Sequence, residues 1–360
     1  MTKRVRWVLA GLSAVFLVGI ATTGGALYYA WELLHRPFRA YANEHVQIQV
    51  PRGTDARTIL DNLESKGVLA NSDLARIYLV YQLGDPPLQA GEYRFEGTLS
   101  VPEVLDQMIR GDVVTYPVTI IEGLTLHETA FELAKAGFGE QESFESLMHT
   151  PELIADLDPA ATDLEGYLFP DTYRFAGSTS EAEIVAVMVR NFRRQWNTEV
   201  VPIRDQDDGR SIRELVILAS IVEKEARLDD ERPIIAGVYR NRLDRNIALY
   251  ADPTIIYALK RDDRWDGNLR RKDLDLDSPY NTYIHPGLTP GPIASPGLAS
   301  LQAAAQPAEV PYIYFVSRND GSHVFAETLS EHNRNVHTWQ KLYWRNRWAE
   351  EKKQKSEPTG

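Results

Sequence analysis

The chain of 360 residues contains no cysteine. That excludes disulfides, thiolate metal sites, a cysteine nucleophile and the lipid-modified cysteine of a lipoprotein anchor. Positive charge is also scarce: 39 Lys and Arg stand against 51 Asp and Glu, a net charge of -12. Nucleic acid binding needs a basic face and is not expected, nor is a polybasic membrane patch beyond the N-terminus. No Gly-rich phosphate loop, no G-x-S-x-G elbow and no H-E-x-x-H helix occurs. His323, Glu327, His332 and His337 resemble a ligand set only superficially. The last three are spaced by fives, which does not stack on one helix face. No metal and no cofactor are implied.

What is present begins with one long apolar run. Lys3, Arg4 and Arg6 precede an uncharged stretch from Trp7 to Trp31. At ~1.5 Å per residue this crosses a ~30 Å hydrocarbon core with room for tilt. Trp7 at one end, and Tyr28, Tyr29 and Trp31 at the other, fit interfacial anchors. A cleaved secretory signal is the rival reading, but the run is long for one and ends in aromatics rather than A-x-A. The reading adopted is an uncleaved helix over 7–31. Residues 1–6 are then cytoplasmic, and the rest of the chain lies across the membrane.

The remainder has normal globular composition, 43% hydrophobic and 25% charged, and suits one large or two ordinary domains. After a tether over 32–43, a β-prone run, a turn, an amphipathic helix and a glycine recur three times. The copies are VQIQVPRGTDARTILDNLESKG, YRFEGTLSVPEVLDQMIRG and VTIIEGLTLHETAFELAKAG. Thr54, Ser100 and Thr125 stand at expected N-caps, and Gly67, Gly111 and Gly137 at expected C′ positions. Each copy reads as one β–α element, although ordinary α+β packing would give the same periodicity.

Further along, Glu142–Asp156 and Ile184–Gln195 read as helices, DQDDGR (Asp205–Arg210) as a linker and Ile212–Leu243 as mostly helical. LEGYLFPDTYRF (Leu164–Phe175) interleaves Glu165 and Asp171 with aromatics. Such density suits a core or a sugar-stacking surface with polar anchors. SPYNTYIHPGLTPGPIASPG (Ser278–Gly297) is dense in Pro and Gly yet punctuated by apolar residues, as in a rigid functional loop. Tyr312–Ala326 carries Asn-Asp-Gly between alternating runs and reads as a hairpin. A charged tail, 346–360, follows.

The acids of ILASIVEKEAR (Ile217–Arg227) are the candidates for chemistry. Glu223 has Arg227 at i+4, which predicts an ordinary helix ion pair. Glu225 has Ile221 and Val222 one turn back, Leu228 at i+3 and Asp229 at i+4. Apolar neighbours and a like charge both raise a carboxyl pKa, as a general acid near neutral pH requires. The two acids point about 200° apart and cannot face one another. On this pattern alone, Glu225 fits a structural role as well as a catalytic one.

The motifs ASIVEKEA, ERPIIAGVYRNRL, DPTIIYAL, SPYNTYIHPGLTPGPIASPG, GSHVFAETLSEHN and, upstream, LEGYLFPDTY resemble the YceG-like (MltG) endolytic murein transglycosylases. The match runs from the apolar helix to about Leu342. The resemblance implies an α+β protein with a single transmembrane helix, a LysM-like subdomain (44–116) and a catalytic domain (117–345) whose helical core resembles goose-type lysozyme. It implies the inner membrane as location, the periplasm for the catalytic domain, peptidoglycan strands as substrate and peptidoglycan synthases as candidate partners. The family's catalytic glutamate is the second of V-E-K-E, here Glu225. Tyr250-Ala251 stands where Gln-Thr commonly precedes Asp-Pro-Thr, and His285 and Thr289 vary the loop; these departures bear on substrate contacts.

One acid suffices for such a reaction. Glu225 would protonate the glycosidic oxygen leaving N-acetylmuramic acid C1. It would then take the proton of the C6 hydroxyl, which closes a 1,6-anhydro ring without water. An inverting glycosidase, by contrast, needs a second carboxylate to activate its water. Glu165, Tyr167, Asp171, Asp252, Asn281 and Tyr283 are the expected cleft residues. Two rivals are a lysozyme-type hydrolase, with Asp252 or Glu165 activating water, and a non-catalytic wall-binding scaffold with structural glutamates.

Overall fold

The computed structural model describes residues 3–204, 209–345 and 347, with side chains described for 7, 11, 12 and from 14 onward within that set. Most of the linker read over Asp205–Arg210 and nearly all of the tail 346–360 lie outside the described residues. The architecture mixes helix and strand, and among the described residues the strands form three two-stranded sheets. The chain divides into two compact units: Met1–Tyr116 with Arg174–Ser178, and Pro117–Tyr173 with Thr179–Gly360.

In the first unit α1 (Lys3–His35) contains one apolar segment, Ala14–His35, long enough to cross a membrane. The helix thus runs one turn past the Trp31 expected as its end. That last turn is tied to the fold: Leu34 packs against a core centred on Leu63, Leu79, Tyr93, Phe95 and Leu105. Two strands, β1 (His45–Val50) and β2 (Gly91–Glu96), pair antiparallel from His45↔Glu96 to Val50↔Gly91. Ile48 and Val50 alternate inward with period two, as a one-faced sheet requires. Helices α2 (Ala56–Ser65), α3 (Ser72–Ile77) and α4 (Val101–Arg110) cover the sheet's apolar face.

The caps follow the sequence with one exception. Ser100 and Thr125 head capping boxes with Glu103 and Glu128, for α4 and for α5 (Leu126–Lys135) of the second unit. At α2 the N-cap is Asp55, whose side chain accepts from Thr58 N. The Thr54 hydroxyl instead closes the preceding turn onto the Pro51 carbonyl at 2.9 Å, so it is not free to cap. Gly67, Gly111 and Gly137 all adopt the left-handed backbone expected of them.

β3 (Thr115–Ile120) pairs with β4 (Asp171–Ala176), each strand being divided between the two units. In the second unit the helices α6 (Gln141–Met148) and α7 (Glu181–Gln195) follow α5. At the centre lies α8 (Ile212–Glu225), buried without interruption from Leu215 to Val222. A helix apolar all round belongs inside a core. It is packed by α9 (Arg232–Asp244), α10 (Asp252–Arg261) and α11 (Leu298–Ala305). The hairpin is β5 (Tyr314–Ser317) and β6 (His323–Ala326), in register from Tyr314↔Ala326 to Ser317↔His323, with Asn319 and Gly321 left-handed in its turn. It is followed by α12 (Leu329–Val336).

Candidate active site

The end of α8 decides where its acids go. Ala226 has ψ 132°, so the helix stops at Glu225 and the chain turns extended. Leu228 and Asp229 therefore never become its i+3 and i+4 neighbours. The Glu225 carboxyl is half-buried and flanked by residues of other elements. From α9, the fully buried Tyr239 donates its hydroxyl to Glu225 Oε1 at 3.0 Å. Among the described residues Oε2 has no hydrogen-bond partner. Burial pushes the Glu225 carboxyl up to about 7; the Tyr239 hydrogen bond opposes the rise and the charge of Asp252 adds to it. The like charge is therefore Asp252, not the Asp229 expected from helical spacing.

Asp252 is the first residue of α10, and its Oδ1 accepts the Tyr283 hydroxyl at 2.7 Å. Burial and the Asp252 carboxylate together hold the Tyr283 phenol well above its usual range. The loop 278–297 is fastened beneath this pair. Thr282 Oγ1 accepts from Ala251 N at 3.0 Å and lies 3.0 Å from Thr254 Oγ1. Tyr250, exposed and with a left-handed φ of 51°, places its ring 5.2 Å from that of Tyr283. Such a conformation in a bulky residue is strained and persists only where its surroundings impose it. Arg242, spent on the carbonyls of Ala248, Leu249 and Ile313, lies over the Tyr250 and Tyr314 rings.

Glu223 faces elsewhere and is not the solvated surface acid that i+4 pairing with Arg227 predicts. Its Oε1 is 3.0 Å from Arg232 Nη1, with both side chains less than a tenth exposed, and its Oε2 accepts the Gly297 N–H at 3.0 Å. Both oxygens are taken. Arg232 also reaches Asp229 and the Ser300 hydroxyl. Nearby, burial pushes the Glu122 carboxyl above its ordinary range, with Glu223 adding to the rise. The Glu122 carboxyl packs against Gly297, where a Cβ would lie 2.1 Å from Oε1, so a larger residue there would displace that carboxyl.

Of the six residues expected beside Glu225, the structure brings two to it, Asp252 and Tyr283. Tyr167 is a core residue with no exposed surface, its hydroxyl donating to Asp158 Oδ2 at 2.8 Å. Asn281 is equally buried; its amide donates to the Leu274 and Leu276 carbonyls and its Oδ1 accepts Tyr283 N, so it shapes the loop. Glu165 is buried against the start of α5. It accepts Leu126 N at 3.0 Å and the Tyr257 hydroxyl at 3.1 Å, and burial pushes it up to about 8. Asp171 lies in a separate shallow groove with Thr119, Glu122, Thr172 and Glu223, where it accepts from Asn191. Of the histidines weighed as ligands, His323 places Nδ1 2.7 Å from buried Glu231, and the His332 ring stacks on Tyr314.

Sequence reasoning missed Tyr239 and Arg242. They lie on α9, and only the packing of α9 on α8 brings the first to Glu225.

The pattern of the YceG-like family matches residues 48–338, which hold Glu225, Tyr239, Asp252 and Tyr283. The chain belongs to the YceG-like family. A Bacillus subtilis protein named endolytic murein transglycosylase is 32% identical over 330 residues, 86% of this chain and 89% of that one. A Streptococcus pneumoniae protein of the same name is 27% identical, with 89% of this chain aligned to 64% of that one. A crystal structure of a yceG-like protein from Listeria monocytogenes has 31% identity and a TM-score of 0.53, covering 81% of this chain and 99% of the other. This YceG-like chain thus shares sequence with all three and fold with the Listeria protein.

Proposed function

We propose that this YceG-like protein is a peptidoglycan lytic transglycosylase, a lyase acting endolytically on glycan strands, with Glu225 as its acid and base. The names of these relatives support the activity. The observation that carries the residue assignment is the Glu225 carboxyl, with one oxygen fixed by Tyr239, the other open, and a proton held to about pH 7. A group titrating near the working pH serves both directions of proton transfer.

In this reading Oε2 of protonated Glu225 gives its proton to the glycosidic oxygen as the bond to N-acetylmuramic acid C1 breaks. The carboxylate then takes the proton of the C6 hydroxyl as that oxygen bonds to C1. The proton count closes on one residue, and the product carries a 1,6-anhydro ring. Asp252, whose charge reaches Glu225 and whose Oδ1 is held by Tyr283, favours the positive charge that grows at C1. The exposed ring of Tyr250 and the half-buried ring of Tyr283 offer faces on which a pyranose can pack. The same carboxylate pair suits a muramidase if water replaces the C6 hydroxyl, and the products separate the two. Mass spectrometry of digested strands is expected to find anhydro ends; reducing ends would establish hydrolysis instead.

The division of the chain after Tyr116 supports taking residues 44–116 as a LysM-like strand-holding part. Residues 117–345 are then the catalytic part, with α8 central to a goose-lysozyme-like core. The apolar span supports a single-pass inner-membrane protein with a cytoplasmic N-terminus and a periplasmic active site, where peptidoglycan synthases are candidate neighbours. A reporter fused to the C-terminus and active only in the cytoplasm would overturn the orientation.

A further inference from the structure

The first unit carries a second apolar face, of which only Tyr78 also packs against its core. Helix α3 and the turn of π-helix after it, Tyr78–Gln82, bury Ala75 and Leu79 in the core. On another face of the same segment stand Leu74, Ile77, Tyr78 and Tyr81, spaced i, i+3, i+4, i+7. That spacing marks an apolar stripe meant to be covered. Yet Leu74 and Tyr78 are only half-buried, Ile77 is 53% exposed and Tyr81 84% exposed; Leu83, just beyond, is exposed too.

The stripe begins where α1 leaves its apolar span. The Tyr78 ring meets the His35 ring edge-on at 6.4 Å. His35 stacks on Trp31 at 4.4 Å, and Trp31 on Tyr28 at 6.4 Å. These rings form one ladder from the end of the span, through α1's last turn, to the stripe. Tyr and Trp concentrate at the headgroup level of a bilayer, where one end of the ring is apolar and the other wet. Arg36, exposed in the next position, is placed to meet lipid phosphate.

We infer that the Leu74–Tyr81 stripe is a membrane-interface seat, on which the first unit rests against the headgroup layer of the bilayer that α1 spans. The occupant is lipid rather than protein because the stripe continues α1's aromatic end and is held to it by Tyr78. The seat fixes the height and tilt of the unit above the membrane. A unit linked only by a flexible tether would have neither fixed. The inference rests on reading α1 as a membrane span, and the test separates the two.

The natural chain has no cysteine, so single cysteines take a label without further change. Full-length protein carrying Tyr81→Cys, Ile77→Cys, Gly19→Cys or Arg57→Cys is labelled with an environment-sensitive dye. It is then reconstituted into phosphatidylethanolamine–phosphatidylglycerol vesicles containing lipids with a nitroxide either at the headgroup or in mid-chain. All four sites are open enough to label without disturbing the core. The seat predicts headgroup-nitroxide quenching at residues 81 and 77 several-fold stronger than at 57, and mid-chain quenching at 19. If 19 is quenched by mid-chain nitroxide while 77 and 81 match 57, the seat is wrong and the span stands. If 19 is unquenched, both fail. Label–label energy transfer at 81 without lipid quenching would mean that a second copy covers the stripe, which also overturns the inference.

Discussion

Tyr239 and Glu225 are joined by a single hydrogen bond of 3.0 Å, donated by a hydroxyl with nowhere else to go in a fully buried setting. The bond singles out Oε1 as the oxygen that is held and leaves Oε2 open. It also favours the ionised form of Glu225 and so opposes the rise that burial causes.

Tyr239→Phe removes that donor while keeping the ring. Losing one hydrogen bond to a charged group, about 1.5 kcal/mol, should slow strand cleavage roughly tenfold. The sign on pH is separate. Glu225 acts first as an acid, so activity falls as pH rises through its pKa near 7. Without the Tyr239 hydroxyl the ionised form is less favoured, and this alkaline limb should move to higher pH. A pH profile of kcat/KM checks it; a slower enzyme with an unmoved limb would mean that Tyr239 only packs.

Asp252→Asn should move the same limb the other way. Its charge raises the Glu225 carboxyl, and removing it lets Glu225 ionise at lower pH. Tyr283→Phe frees Asp252 Oδ1 without changing charge, so it should cost rate with a smaller displacement of the limb. The comparison of the two profiles separates charge from positioning.

Glu165 is also raised by burial, to about 8, and it bears on stability rather than on rate. Its folded pKa lies above the ordinary value of 4.5, so its contribution is full below about pH 4.5. It is lost progressively as pH rises through 8. The melting temperature of the wild type should therefore decline between pH 5 and pH 8 more steeply than that of Glu165→Gln, which cannot ionise. Parallel curves would contradict this.

Glu223→Gln breaks a buried pair and leaves Arg232 with Asp229 as its remaining acid. Removing one partner of such a pair costs on the order of 3 kcal/mol, several times what an exposed helix pair is worth. Denaturant unfolding should register that loss. At temperatures where the variant stays folded it should still cleave strands.

How much of this was legible in the sequence follows from the range of each interaction. Helix starts were readable because their caps are local: Ser100 and Thr125 each reach three residues ahead to Glu103 and Glu128. The hairpin was readable from Asn-Asp-Gly for the same reason. The surroundings of the two glutamates were not. Helical arithmetic past Glu225 fails because Ala226 leaves the helix, and it assigned Glu223 to Arg227 when Arg232, on the next helix, holds it. Glu225 does carry a raised carboxyl, but Tyr239 and Asp252 modulate it, from 14 residues away in the hydrogen bond to the first and from a third helix in the second. The aromatic segment 164–175 hid a further ambiguity. Alternation cannot tell Tyr167, turned into the core, from a ring facing a cleft.

The central claim is that one carboxyl, Glu225, makes and takes the proton, and the rate of strand cleavage by Glu225→Gln tests it most directly. The amide keeps the size and can still accept from Tyr239, but it has no proton to exchange. General acid–base steps contribute about 10²–10⁴-fold each. With wild-type thermal stability or better, Glu225→Gln should lose at least three orders of magnitude in the release of anhydro ends. Under the same conditions a folded Glu223→Gln should retain most of its activity. A near-normal rate for Glu225→Gln, beside an inactive but folded Glu223→Gln, would contradict the account and move the chemistry to the groove that holds Glu122, Asp171 and Glu223.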